Sequence, residues 1–355
     1  MAPRKIRRPT LERLMTMTPE HLMVVMPSWI GDIVMATPAL RALKEAHPTM
    51  RITATIRPGL RPILEGAPFV DAIEEAGFRG LLGPVKDGRR LAKLAPDTAL
   101  LFPNSPRSAL FARVTGSTRR IGYATQGRRW LLTDPIKPRQ GTSTPTTTLD
   151  DYADLVEEAF GIEVRDRTPR LGLSEAQRSA GDRLLEGLDG PFVVLNPGAN
   201  REDKRWPAQS FAAVADDLRS NREVTILVNG SPAEAELIKR VVELARPGLI
   251  DLPARGGSIA ALKSVISRSE LLITNDTGPR HLAAGLGTPS VVLFGPTDRR
   301  FTVLPEIRER HLVAEPFLTE EHIADDHAKA CRIGRISVGD VLHAARTLLE
   351  KGTSR

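Results

Sequence analysis

The stretch Leu271-Leu272-Ile273-Thr274-Asn275-Asp276-Thr277-Gly278-Pro279-Arg280-His281-Leu282-Ala283-Ala284 decides the fold. Its first four residues form an apolar run of strand length, as expected for a strand buried on both faces of a parallel sheet. Asp276, Thr277 and Gly278 end that run and open a short helix, and a second apolar strand, Ser290 to Phe294, follows directly. Strand, turn, helix and strand in this order make one unit of an α/β fold with right-handed crossovers. The turn also carries chemistry. Free N–H groups and the positive end of the helix dipole point at whatever sits there, and ligands of open α/β sheets bind at the carboxyl ends of strands. Capping of the helix by Asp276 or Thr277 explains the same residues equally well.

Further units lie outward in both directions. His21 to Met26 reads as a first buried strand, Pro27-Ser28-Trp29-Ile30-Gly31-Asp32 as a sharp turn, and Ile33 to Ala46 as one helix that tolerates Pro38 near its start. The turn lacks the spaced glycines of a dinucleotide fingerprint, so it gives no case for NAD. Strands are expected at Arg51 to Ile56, Ala72 to Glu75 and Thr98 to Phe102, the last ending in Pro103-Asn104-Ser105-Pro106-Arg107. From Thr115 the chain turns basic and polar. Arg119, Arg120, Arg128 and Arg129 form either a solvated face or a phosphate-recognising cluster. Gln140 to Thr148 is a Thr-rich loop, read as a flap over a site or as disorder. Tyr152 to Phe160 is a helix, and residues 168–190 a connector.

A second series then begins. It has strands at Phe192 to Leu195, Val224 to Val228 and Leu249 to Leu252, and helices at Pro207 to Leu218, from Pro232, and at Ile259 to Ser267. The expected organisation is a basic mobile tail (1–20), one Rossmann-like domain (21–170), a second (171–335), and a C-terminal helix within 336–355 that reaches back onto the first. The two domains are expected to face each other across a cleft.

Composition bounds the partners. The 355 residues carry a net charge of +7 with 41% hydrophobic residues, as in an ordinary globular protein of about two domains. No apolar run approaches the roughly 20 residues that span a bilayer, and no signal-peptide core follows the basic start, so a cytoplasmic location is the default expectation. A single cysteine, Cys331, excludes an internal disulfide and a cysteine-rich metal site. Nucleic acid is one partner that the basic balance allows, though aromatic residues at 4% leave few stacking platforms; an anionic membrane surface or a phosphorylated substrate fits equally well, and charge alone does not decide. His322, Asp325, Asp326 and His327 can be drawn as a metal cluster but read more simply as a solvated loop.

Three polar turns of the second series fall at strand carboxyl ends. Asn196-Pro197-Gly198-Ala199-Asn200-Arg201-Glu202-Asp203-Lys204-Arg205-Trp206-Pro207 offers a glycine for close backbone approach, and Lys204 with Arg201 or Arg205 to neutralise phosphate. Val228-Asn229-Gly230-Ser231-Pro232-Ala233-Glu234 places a carboxylate one turn into a helix, where it either accepts from ribose hydroxyls or complements the dipole. The third is the Asp276 turn, with His281 on the helix beyond it. In a parallel sheet all three share one edge, so a single nucleotide can touch them together. Convergence favours binding over capping.

Taken in order, Pro27-Ser28-Trp29-Ile30-Gly31-Asp32, Asn196-Pro197-Gly198-Ala199, Lys204-Arg205-Trp206-Pro207, Asn275-Asp276-Thr277-Gly278 with His281, and Leu293-Phe294-Gly295-Pro296-Thr297 resemble the ADP-heptose:lipopolysaccharide heptosyltransferases. The Ser-Trp-x-Gly-Asp and Pro-Gly-Ala turns look more like the heptosyltransferase II branch than the heptosyltransferase I branch. The match spans roughly residues 22 to 350, with each motif weak alone. The resemblance implies a GT-B type glycosyltransferase, with acceptor on the N-terminal domain and nucleotide sugar on the C-terminal one. It further implies inverting, metal-independent transfer of L-glycero-D-manno-heptose from ADP-heptose, without a cofactor, to a lipid A–Kdo–heptose type phosphorylated glycolipid. Such an enzyme would work peripherally at the inner leaflet of the cytoplasmic membrane.

By the same resemblance Asp32 is the general base. Gly198, Asn200, Arg201, Lys204, Glu234, Asp276, Thr277, Gly278 and His281 become donor-binding residues, and Ser28, Trp29, Arg107, Arg119 and Arg120 acceptor-binding ones. A helix N-terminus is expected to keep Asp32 ionised and so to weaken it as a base, which exclusion of water would offset. Pro279-Arg280 and Asp298-Arg299-Arg300 depart from the family pattern, so Arg280 and Arg299 are expected to alter contacts to the sugar.

Overall fold

The computed structural model describes residues 18–138, 147–304, 307–314, 327 and 329–350. Most of the tail, the Thr-rich loop, and His322, Asp325 and Asp326 of the suggested metal cluster lie outside them. The chain divides into two units, Met1–Pro169 and Arg170–Arg355.

The first unit carries β1 (His21–Val25), α1 (Ile30–Met35), α2 (Thr37–Ala46), β2 (Arg51–Ile56), α3 (Arg61–Leu64), β3 (Ala72–Glu75), α4 (Gly83–Leu91), β4 (Thr98–Leu101), α5 (Pro106–Val114), β5 (Arg119–Tyr123), β6 (Asp134–Ile136) and α6 (Thr148–Phe160). Its strands line up in the order β3-β2-β1-β4-β5-β6, with every pair parallel. β1 is buried along its whole length, as its run of His, Leu, Met and Val demands between two helical layers. The single helix expected at Ile33 to Ala46 is two. The first ends at Ala36, and Pro38 sits in the first turn of the second, where its missing N–H costs nothing.

The second unit carries α7 (Glu175–Leu185), β7 (Phe192–Asn196), α8 (Ala208–Asn221), β8 (Thr225–Val228), α9 (Ala235–Leu244), β9 (Ile250–Asp251), α10 (Ile259–Ser267), β10 (Ser269–Asn275), α11 (Gly278–Leu286), β11 (Ser290–Phe294), β12 (Glu309–Val313) and α12 (Val338–Glu350). The order β12-β11-β10-β7-β8-β9 is again all parallel. Each unit, numbered within itself, therefore has the strand order 3-2-1-4-5-6 of a Rossmann fold.

α12 packs within the second unit: Val341, Ala344, Ala345, Leu348 and Leu349 join Val193, Leu195, Phe211 and Ile273 in its core. An amphipathic helix buries its apolar stripe where a matching face is free, and α8 with β10 and β11 provides one.

Candidate active site

In each sheet the connections reverse direction beside the first strand, and ligand crevices form outside the carboxyl ends at that point. In the first unit these are the ends of β1 and β4; in the second, those of β7 and β10.

β1 ends at Val25, and four residues later the chain enters α1 with Trp29 at its N-cap and Asp32 in its first turn. Ser28 is exposed, and the indole of Trp29 is 63% exposed. The Asp32 side chain has no hydrogen-bond or ion-pair partner among the described residues. Burial raises its pKa above the ordinary carboxylate value. Burial thus acts opposite to the weakening expected from the helix N-terminus, in the direction that exclusion of water was expected to supply. The same charge adds to the burial that raises the neighbouring Tyr152 phenol.

The arginines expected beside this turn are used otherwise. Arg119 and Arg120 open β5, opposite the first residues of β4, so they stand at the amino edge of the sheet, away from Asp32. There Arg119 pairs with Asp134 at 3.1 Å, and Arg120 donates to Leu131 O and Ser117 O. Arg107 does lie at the carboxyl edge, but its guanidinium donates to Phe78 O and Gly80 O and ties down the loop after β3. Arg128 is fully buried and donates to the carbonyls of Pro103 and Tyr123, to Ser108 Oγ and to Asn104 Oδ1. It holds the turn after β4 from behind, and burial lowers its pKa to about 10.

The second unit brings all three polar turns to one edge, after the adjacent strands β10, β7 and β8. Buried amides lock them together. Asn196 Nδ2 donates to Thr274 Oγ1 and Thr277 Oγ1, both at 3.3 Å, while its Oδ1 accepts from Asn229 Nδ2 at 2.7 Å. Asn275 Nδ2 donates to Pro197 O at 2.8 Å and Gly198 O at 3.2 Å, and its Oδ1 accepts from the Trp206 N–H. Trp206 is itself buried, donating to Ile336 O and packing edge-on against Phe211. Residues that looked like an exposed charged loop with one anchor thus form a braced wall.

The cations of that wall divide sharply. Arg205 donates twice to Ala199 O, and Arg201 pairs with Asp203 at 2.6 Å. Only Lys204 has an ammonium without a partner among the described residues. The N–H groups of Thr277 and Gly278, at the mouth of α11, likewise find no acceptor there. Asn200 is exposed beside them. Glu234 closes a capping box, with Oε2 accepting from Ser231 N and Oγ, both at 2.8 Å. Its carboxylate also lies against the turn after β7: a Cβ on Gly198 would stand 2.1 Å from Glu234 Oε1. Gly198 is therefore required by this approach, and Oε1 keeps its acceptor capacity.

Arg280 corrects another expectation. It is fully buried and cannot touch a sugar. It donates to Asp276 Oδ1, to both Glu309 carboxylate oxygens, and to Thr302 Oγ1 and O, all at 2.8–2.9 Å, and its guanidinium stacks 5.0 Å over Phe294. Burial pushes the Glu309 carboxyl up, but hydrogen bonds from His311 and Arg280 with the Arg280 charge outweigh it and hold the group at about 2. His281 is buried on α11 with Nδ1 unpaired; burial and the neighbouring Arg280 charge lower its pKa to about 4, so it is neutral at pH 7. Among the described residues no group of three or more His, Cys, Asp and Glu side chains converges as a metal site would.

Comparison with known proteins gives this arrangement its setting. Residues 85–322 match the model of glycosyltransferase family 9 (heptosyltransferase). The chain is 26% identical over 303 residues to the lipooligosaccharide heptosyltransferase 2 of Haemophilus influenzae, covering 79% of this chain and 85% of that one. It is 27% identical over 295 residues to the lipopolysaccharide heptosyltransferase 2 of Escherichia coli, covering 79% and 84%. The solved Escherichia coli ADP-heptose lps heptosyltransferase II superposes with a TM-score of 0.79 at 24% identity, covering 94% of this chain and all of that one, so the fold is shared. With its matched span exceeding half its length, this chain belongs to glycosyltransferase family 9, the heptosyltransferase family.

Proposed function

We propose that the enzyme transfers L-glycero-D-manno-heptose from ADP-heptose, with inversion, to a mono-heptosylated inner core of lipopolysaccharide. The observation that supports this most is the division of unspent groups. Among the described residues one switch point presents a carboxylate with no partner and a raised pKa; the other presents an unpaired ammonium and two free N–H groups. Two relatives are named as heptosyltransferases of lipopolysaccharide or lipooligosaccharide, and one solved neighbour is named as an ADP-heptose lps heptosyltransferase.

In this reading Asp32 takes the proton of the acceptor hydroxyl as that oxygen attacks the anomeric carbon and the bond to ADP breaks. Charge developing on the departing diphosphate is met by Lys204, the Thr277 and Gly278 N–H groups and the α11 dipole, all fixed before the reaction starts. Asp276, oriented by Arg280, faces the donor sugar, and Oε1 of Glu234 accepts from the ribose. Ser28 and Trp29 flank the acceptor. Chelation by EDTA leaves turnover unchanged, because the cationic groups belong to the chain. The enzyme acts peripherally at the inner leaflet, where the acceptor resides.

The test is ADP release by purified enzyme from ADP-L-glycero-β-D-manno-heptose, with mono-heptosylated and heptose-free acceptors in parallel. Release confined to the mono-heptosylated acceptor is expected. Release with the heptose-free one would reassign the step, and tight donor binding without release would mean a different acceptor.

A further inference from the structure

Leu81 and Leu82 are adjacent and 88% and 72% exposed, in the loop between β3 and α4. Single exposed apolar side chains are ordinary, but two neighbouring leucines held this far into solvent are not. The loop is pinned rather than slack. Asp87 accepts from Gly77 N at 3.1 Å and Phe78 N at 3.0 Å, Arg107 donates to Phe78 O and Gly80 O, and Phe78 packs on Phe111 with ring centroids 4.8 Å apart. Every anchor holds backbone or Phe78, and none engages the side chains of the two leucines.

The surroundings are basic. From Ala76 to Lys93 the segment carries five Lys and Arg residues and one acid, Asp87, a segment charge of +4, with Arg90 alone among the five paired, to Glu74 and Asp87. Arg79, Lys86 and Arg89 are exposed, and their side chains have no partner among the described residues. An apolar pair ringed by unspent cations is the pattern that enters the interface of an anionic leaflet: leucines reach the acyl boundary while cations meet lipid phosphates. The loop also follows the carboxyl end of β3, two strands from β1 and hence on the sheet edge that carries Asp32.

We propose that the Leu81–Leu82 turn docks the enzyme on an anionic bilayer and sets the Asp32 edge against its membrane-borne acceptor. This rests on the lipid-linked acceptor argued above.

The test compares the full chain with the variant Leu81→Glu/Leu82→Glu, whose sites are exposed enough that folding is kept. Co-sedimentation is measured with phosphatidylglycerol–phosphatidylcholine vesicles and with phosphatidylcholine alone. Wild-type protein should bind only the anionic vesicles, more weakly as salt rises, and the variant should partition about tenfold or more less. Turnover on vesicle-embedded acceptor should fall in step, with turnover on a deacylated acceptor unchanged. Equal partitioning of variant and wild type, binding of wild type to neutral vesicles as strongly as to anionic ones, or equal loss on the deacylated acceptor would overturn the proposal. Leucine-dependent anionic binding without turnover on any heptose acceptor would leave the docking standing and remove the functional reading instead.

Discussion

The two switch points of this chain share one strand order and differ in how their polar groups are spent. After β1, Asp32 stands without a partner among the described residues, burial raising its pKa, and Ser28 and Trp29 project beside it. After β7 and β10, nearly every side chain is committed: Asn196, Asn229 and Asn275 bind the three turns to each other, Arg205 holds Ala199 O, and Arg280 holds Asp276 from beneath. Among the described residues the Lys204 ammonium, the Thr277 and Gly278 N–H groups, Glu234 Oε1 and His281 Nδ1 have no partner. The lesson is that one fold serves a reacting group and a binding cradle by opposite means. A base gains reactivity by being left unsatisfied in a partly dry place, whereas a cradle gains precision by satisfying everything except the atoms meant for the ligand.

The largest break to this contrast comes from beneath the cradle. Arg280→Leu removes the ion-pair partner of Asp276 and leaves His311 alone to meet the buried Glu309, and should cost about 3–5 kcal/mol of stability in denaturant titrations. A change within error would mean that the pairs are not holding the wall. Lys204→Met sharpens the other side. It should weaken ADP binding roughly tenfold or more by calorimetry, the loss of a charged hydrogen bond, with no shift in melting temperature. Unchanged affinity would remove Lys204 from the cradle. Asn196→Ala should cost about 1–3 kcal/mol by orphaning its partners, with a raised KM for the donor and a smaller change in kcat; an unaltered KM would make the network purely structural.

Acid titration distinguishes the regions by sign. Asp32 has a raised pKa in the folded protein, so as pH rises through that value it ionises, activity appears, and its contribution to stability is lost. The acid limb of kcat/KM should therefore lie above the ordinary aspartate value of about 3.9. Glu309 is the reverse. Its pKa of about 2 gives stability that is complete above the ordinary glutamate range and lost as pH falls toward that value. An acid limb at or below about 3.9 would contradict the account of Asp32.

Most of the fold was legible because its central strands are apolar runs bounded by turn residues: β1, β2, β10 and β11 read directly from composition. The strands that escaped notice lie toward the sheet edges. β5 opens with two arginines and β12 with Glu309-Arg310-His311, charged sequences that resemble loop until their partners are known. Glu309 is tolerated in β12 only because Arg280, 29 residues earlier, turns inward to meet it, and no local pattern announces that pairing. α7 was missed among polar residues although Ser174 and Gln177 form a capping box, a signal that could have found it. The candidate site was legible as turns but not as loyalties. Sequence put Arg201, Lys204 and Arg205 together without showing that two of the three are already engaged, and it put Arg119 and Arg120 near a ligand although β5 begins at the far edge.

The division of labour between the two switch points is tested most directly by Asp32→Asn, assayed in parallel for transfer and for ADP affinity. Transfer should fall by about 10²–10⁴, while the dissociation constant for ADP stays within about twofold, since Asp32 belongs to the first unit and the cradle to the second. Loss of transfer and of ADP affinity together would make Asp32 a binding or structural residue, and retained transfer would end its role as the base.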